Sequence, residues 1–182
     1  MRMRNLKVIL LIVLLVFSMV SCGEITQPGI LEHRSDVEIT HCNYDIPEGM
    51  EYDEEGDVYY IETEGKALYV SHWASDDEGE VIYFDTFNEE KCRVNEEQIV
   101  EMVYGEKIDV EITKFETYEI NGLPTYRYDV EYVVDEMEVV YTLIMVGGNE
   151  IHSFSYEQNG TREYTDDIER CIKSIEFEYE EV

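Results

Sequence analysis

The chain has 182 residues, of which 43 are acidic and 13 basic, giving a formal charge of −30 with 44% hydrophobic content. This acidic excess excludes nucleic acid as a partner, because phosphate binding is driven by Lys and Arg releasing counterions. It also excludes adhesion to anionic lipid through a basic patch, while keeping the chain soluble at some cost in self-repulsion.

The first element is an address. Arg2, Arg4 and Lys7 form a cationic head, an unbroken apolar run follows from Val8 to Phe17, and small Ser21 precedes Cys22. Charged head, apolar middle and small-residue exit form the pattern of a secretory signal, and the run is shorter than the about 20 residues a membrane span needs. Met19-Val20-Ser21-Cys22 resembles the bacterial lipobox, although Leu is commoner than Met at its first position. The resemblance implies cleavage before Cys22 and a diacylglycerol joined to its sulfur. Two acyl chains hold firmly where one holds only marginally, at roughly 0.8 kcal/mol per buried methylene. A secreted protein with a non-lipidated signal is the alternative, and a retained membrane helix a further one. Beyond the signal, ten basic residues face 43 acidic ones, a formal charge of −33.

Residues 22–36 lack hydrophobic periodicity and read as a lipidated Cys and flexible tether. Residues 37–182 read as one domain, long enough to bury a core; recurring Tyr, Val, Ile and Phe argue against disorder there. Val37 to Asp45 alternates, with Cys42, Tyr44 and Ile46 on one side, and stops at Pro47-Glu48-Gly49. Val58 to Glu62 and Lys66 to Trp73 form a hairpin about Glu64-Gly65, and Glu80 to Phe84 reads as extended. Asn95 and Gln98 form a capping box, Val94 and Ile99 a staple, and Gly105 a stop, which predicts a helix near 95–104. Its apolar stripe is Ile99, Met102 and Val103.

Asp109 to Ile120 turns at Asn121-Gly122, a pair suited to a type I′ hairpin. On the return strand Tyr126, Tyr128, Val130, Tyr132 and Val134 share a face. Val139 to Val146 is apolar on both faces and so reads as a central strand. Gly147-Gly148-Asn149 leads into Glu150 to Glu157, with Phe154 and Tyr156 facing one way. Tyr164, Ile168, Cys171, Ile172 and Ile175 predict a closing amphipathic helix near 162–174, and Glu176 to Tyr179 an edge strand.

In this order the chain resembles the PsbP-like family of α/β/α sandwiches. The resemblance is carried by Tyr44-Asp45-Ile46-Pro47-Glu48-Gly49-Met50, Ile120-Asn121-Gly122-Leu123-Pro124, Tyr141-Thr142-Leu143-Ile144, and the ending Ile168, Ile172, Ser174-Ile175-Glu176-Phe177. It spans nearly all of residues 37–179. It implies an α+β fold with a central antiparallel sheet, and an extracytoplasmic or lumenal binding module without its own chemistry, often lipid-anchored in bacteria. Photosynthetic members assist the oxygen-evolving complex, but the acidic surface departs from their basic docking patches, so that role is not expected.

No catalytic residue, cofactor or metal ligand is assigned. Asp53, Glu55 and Asp57 in one acidic loop, and the run Asp76-Asp77-Glu78-Gly79-Glu80, offer carboxylates to calcium, but without EF-hand spacing solvated charge is the simpler account. His41, His72 and His152 fall on separate predicted strands, where convergence on a metal competes with ordinary hydrogen-bonded His. Cys42 and Cys92 could pair outside the cytoplasm; Cys171 reads as a small buried hydrophobe. Trp73 beside His72 could mark a ligand groove, and the Tyr-rich strands a binding face, although packing in the core and on the sheet surface is the favoured account. The expected function is that of an extracytoplasmic lipoprotein, non-catalytic, binding the membrane through Cys22 and an unidentified protein or small molecule. A calcium-binding envelope protein is the alternative. An enzyme would announce itself as a cluster of buried polar side chains.

Overall fold

The computed structural model describes residues 31–182; the signal segment 1–21 and the lipidation candidate Cys22 lie outside them. Among the described residues, no helix is long and apolar enough to cross a membrane. The chain runs β1 (Val37–Asn43), β2 (Glu51–Asp53), β3 (Val58–Thr63), β4 (Lys66–Ser75), α1 (Glu78–Asp85), α2 (Glu89–Tyr104), β5 (Glu111–Ile120), β6 (Leu123–Val134), β7 (Met137–Gly147), β8 (Ile151–Asn159), α3 (Thr165–Ser174) and β9 (Glu176–Glu181).

Seven strands form one sheet in the order β2-β3-β4-β8-β7-β6-β5, antiparallel throughout. Two meanders, β2-β3-β4 and β5-β6-β7-β8, join where β4 pairs with β8. Tight turns close the hairpins: Asn121 and Gly122 have φ of 51° and 80°, and Asp135 and Glu136 have 50° and 66°, the positive values of a type I′ turn. The fold is thus α+β on a central antiparallel sheet, as expected.

Each face of the sheet carries its own core. On one, Phe84 of α1, Phe87, and Cys92 and Val100 of α2 pack on Tyr126, Tyr128, Val130, Tyr132, Tyr141, Leu143 and Met145. The link from β4 to the distant edge strand β5 carries α1 and α2 across this face. On the other, Ile168, Cys171 and Ile172 of α3 pack with Val37 and Phe177 on Leu68, Val70, Ile144, Phe154 and Tyr156. Here β1 and β9 form a separate two-stranded ribbon beside α3. Strands β7 and β8 are buried on both faces, which is why β7 carries an uninterrupted apolar run.

Three sequence expectations are corrected. Glu80 to Phe84 is helical: Asp77 caps α1 by accepting from the Gly79 amide at 2.8 Å, and burial of Phe84 against Tyr126 overrides the strand propensity of Val81-Ile82-Tyr83-Phe84. The second helix starts at Glu89, capped by the Asn88 side chain accepting from the Lys91 amide at 3.0 Å. Asn95 is therefore an interior residue only 8% exposed, whereas Val94 of the supposed staple is 38% exposed. The stripe facing the sheet is Cys92, Asn95, Glu96, Ile99 and Val100, helical spacing with two polar members that disguise it. Met102, assigned to that stripe, is exposed.

Residues 31–36, assigned to the tether, lie against the domain. The Leu31 amide donates to the Tyr126 hydroxyl at 2.8 Å, and Leu31 packs on the Phe84 core. The His33 amide donates to Asp85 Oδ1 at 2.8 Å, and His33 Nδ1 lies 2.8 Å from Asp85 Oδ2. The Arg34 amide donates to the Gly147 carbonyl at 3.1 Å. These are polar attachments to distant residues, which hydrophobic periodicity cannot register.

Candidate functional site

Strands β4 and β8 pair so that His72 lies opposite Phe154, and Ala74 opposite His152. His152 is two residues from Phe154 on the same strand, so His72 and His152 are diagonal neighbours on one face. That face looks toward the ribbon, where Cys42 of β1 lies opposite Phe177 of β9. One ligand atom each from Cys42, His72 and His152 can be chosen so that all lie within 4.8 Å of one another. Among the described residues this is the one group of three His, Cys, Asp or Glu side chains so arranged.

The rings are firmly held. His72 Nε2 lies 3.0 Å from His152 Nδ1, and His152 Nε2 lies 3.0 Å from Glu150 Oε1. His72 stacks on Phe154 with centroids 4.3 Å apart and meets the edge of Tyr44 at 5.0 Å; His152 meets Phe177 at 4.9 Å. Burial pushes both imidazoles down to about 4, with His152 adding to the effect on His72. Both are therefore neutral at physiological pH, each with one unprotonated ring nitrogen. Burial, then the Glu150 charge, pushes the Cys42 thiol up to about 11.

The structure thus brings together His72 and His152 of the three strand histidines, and leaves His41 exposed. Cys42 is the member that sequence reasoning missed as a ligand, because it was weighed only as a disulfide partner. Cys42 packs against the α3 side of the sheet and Cys92 against the α2 side; both are free thiols, as is Cys171. The sheet between them overturns that pairing. Trp73 faces away from His72, packing against the α2 side.

The acidic loop does not converge. Asp53 Oδ1 accepts from the Glu55 amide at 3.0 Å and Asp57 Oδ1 accepts from the Tyr52 hydroxyl at 2.6 Å, so two of the three candidate carboxylates serve local turns. The second acidic run opens α1 instead, with Asp77 as its cap.

A cluster of buried polar side chains, the feature expected of an enzyme, does lie beneath α2, but neither of two surface clefts is lined by its carboxylates. Glu96 and Glu157 are 4% and 5% exposed. Glu96 Oε1 accepts from the Tyr128 hydroxyl at 3.0 Å, and Glu157 Oε1 accepts from the Asn159 side-chain amide at 2.8 Å. Asn95 Nδ2 and Asn159 Oδ1 are buried without a hydrogen-bond partner. Burial raises the Glu96 carboxyl to about 7 despite the Tyr128 hydrogen bond, and raises Glu157 as well. Two surface clefts lie elsewhere. One of about 520 Å³ lies between Asn88-Glu89 and Val110-Glu111, and one of about 310 Å³ between Ile120-Asn121 and Ile172-Lys173. Neither is lined by Glu96, Glu157, Cys42, His72 or His152.

No protein-family model matches the chain, and no curated protein matches it by sequence. Among solved structures it is similar to LpqN, involved in cell envelope biogenesis of Mycobacterium tuberculosis, at 7% identity and a TM-score of 0.49, covering 78% of this chain and 91% of that one. It is also similar to the cyanobacterial PsbP protein CyanoP of Synechocystis, at 10% identity and a TM-score of 0.43, covering 88% and 99%. A protein of unknown function from Pseudomonas aeruginosa aligns at 7% identity and a TM-score of 0.40, covering 71% and 86%.

Proposed function

We propose that the chain is an extracytoplasmic lipoprotein, anchored through diacylglycerol on Cys22, whose PsbP-like domain is a non-catalytic binding module. The observation that carries this reading is Met19-Val20-Ser21-Cys22 directly after a cationic head and an apolar run. The position of the fold supports it. Among the described residues Leu31 is already attached to the domain, so at most residues 23–30 separate the lipidated residue from it. Eight residues span at most about 29 Å when fully extended, which holds the domain close to the bilayer surface. The −33 charge then favours a stance off anionic headgroups and attracts cations to the same zone.

Replacing Cys22 by Ser in the native host tests this. The expected result is loss of metabolic palmitate labelling and movement of the product from the membrane fraction to the soluble one. Unchanged labelling and unchanged fractionation would overturn the proposal.

A further inference from the structure

We propose that Cys42, His72 and His152 form a binding site for a borderline-soft divalent cation, zinc above all, with Glu150 as the carboxylate that orients His152. This names a ligand for the binding module proposed above and takes its biological setting from that reading.

The donor set selects the ion. One thiolate and two imidazoles suit zinc and copper, whereas calcium, magnesium and manganese take oxygen ligands. The three donors come from two layers, β4 and β8 of the sheet and β1 of the ribbon, and all fall within 4.8 Å. In a tetrahedral site with metal–nitrogen bonds of about 2.0 Å, two nitrogens sit roughly 3.3 Å apart. The observed 3.0 Å between His72 Nε2 and His152 Nδ1 therefore asks for a few tenths of an ångström of opening.

Glu150 is the second, independent observation. Its carboxylate lies 3.0 Å from His152 Nε2, and it accepts a hydrogen bond from the N–H at that position. This fixes the tautomer in which His152 Nδ1 presents its lone pair to Cys42 and His72. Metal-bound histidines nearly always donate their other N–H to a carboxylate, carbonyl or water in this way. In the free protein His72 Nε2 donates to His152 Nδ1; on metal binding its proton moves to Nδ1 and Nε2 becomes a ligand. The Cys42 S–H bond breaks, a sulfur–metal bond forms and one proton per ion leaves to solvent. Tyr44, Phe154 and Phe177 wall the site on the protein side, while half-buried Cys42 leaves a fourth position approachable from outside. Three protein ligands and one open position characterise zinc sites that accept water or a further ligand.

The test uses full-length chain in detergent, with thiols kept reduced, titrated with zinc alone against a chromophoric chelator. Cobalt serves as spectroscopic stand-in and calcium as control. The expected result is one zinc per chain, release of one proton read from the buffer dependence of the heat, and a rise in melting temperature that calcium does not produce. Cobalt should give a thiolate charge-transfer band and the visible bands of a four-coordinate site. Cys42→Ser and His152→Ala should abolish the band, Glu150→Gln should weaken zinc by roughly 10–100-fold, and exposed His41→Ala should change nothing. Circular dichroism of each metal-free variant separates lost binding from lost fold, and Glu150→Gln leaves all three ligands in place. Zinc binding indifferent to Cys42→Ser and Glu150→Gln would assign it to surface carboxylates and overturn the site. Absence of zinc binding would overturn it too, and so would copper binding to these residues with zinc excluded. Each result leaves membrane fractionation of the parent chain unaffected, so failure here is distinct from failure of the lipid anchor.

Discussion

Replacing Glu96 by Gln should stabilise the protein, and only where the carboxyl would otherwise ionise. The carboxyl is raised from 4.5 to about 7 in the fold, so between those values the folded state binds the proton that the unfolded state has released. The associated stability is fully present below pH 4.5 and is lost as pH rises through 7. At 1.36 kcal/mol per unit, the shift amounts to about 3 kcal/mol at pH 8. Gln is isosteric with the protonated acid and can still accept from the Tyr128 hydroxyl. Calorimetric melts of parent and Glu96→Gln should therefore coincide near pH 4 and diverge by roughly 6–12 °C at pH 8, at about 2–4 °C per kcal/mol for a domain of this size. Tyr128→Phe removes the one hydrogen bond that favours the ionised form, so its stability loss should extend to higher pH. A gap between parent and Glu96→Gln that is the same at every pH, or a destabilised variant at pH 8, would refute the reasoning.

A chain beginning at Val37 should melt below one beginning at Leu31. It forfeits the Leu31 contacts and the His33–Asp85 attachment, together about 3 kcal/mol, and equal melting temperatures in calorimetry would dismiss the attachment as idle. Gly160→Ala should cost more than about 2 kcal/mol in urea unfolding, because Gly160 sits at φ 66°, a conformation that costs an L-residue about 1–2 kcal/mol, and an added Cβ would run into the Gly65 carbonyl oxygen. A neutral result would mean that the β3–β4 turn yields freely.

The meander was legible because its signals are local. The Asn121-Gly122 turn, the alternating tyrosines of β6 and the two-sided β7 each declare themselves within a dozen residues. The start of α2 was not, because its buried stripe includes Asn95 and Glu96, polar residues facing a polar core beneath the helix. A reading that equates buried with apolar moves the cap seven residues too far. The α1 segment failed for the opposite reason, since Val81-Ile82-Tyr83-Phe84 is strand-forming by propensity and helical by tertiary packing. At the candidate site the histidines were singled out individually, but convergence depends on the β4–β8 register and on β1 lying over that pair. Neither is written in any one segment. Cys42 was visible throughout, and its role waited on knowing which face of the sheet it met.

The ribbon also governs how the molecule bears tension. Val37 lies opposite Glu181 and Asn43 opposite Glu176, and the Val182 amide donates to the Asp36 carbonyl at 2.9 Å, so the chain enters and leaves at the same end of an antiparallel pair. A pull between the two ends first strains the attachments of Leu31, His33 and Arg34 to Tyr126, Asp85 and Gly147, and then loads the perpendicular rungs one at a time, peeling β1 from β9. The rung at Cys42 and Phe177 is near the far end of that seam, so traction on the termini opens the wall over His72 and His152 only once the rest of the ribbon has parted.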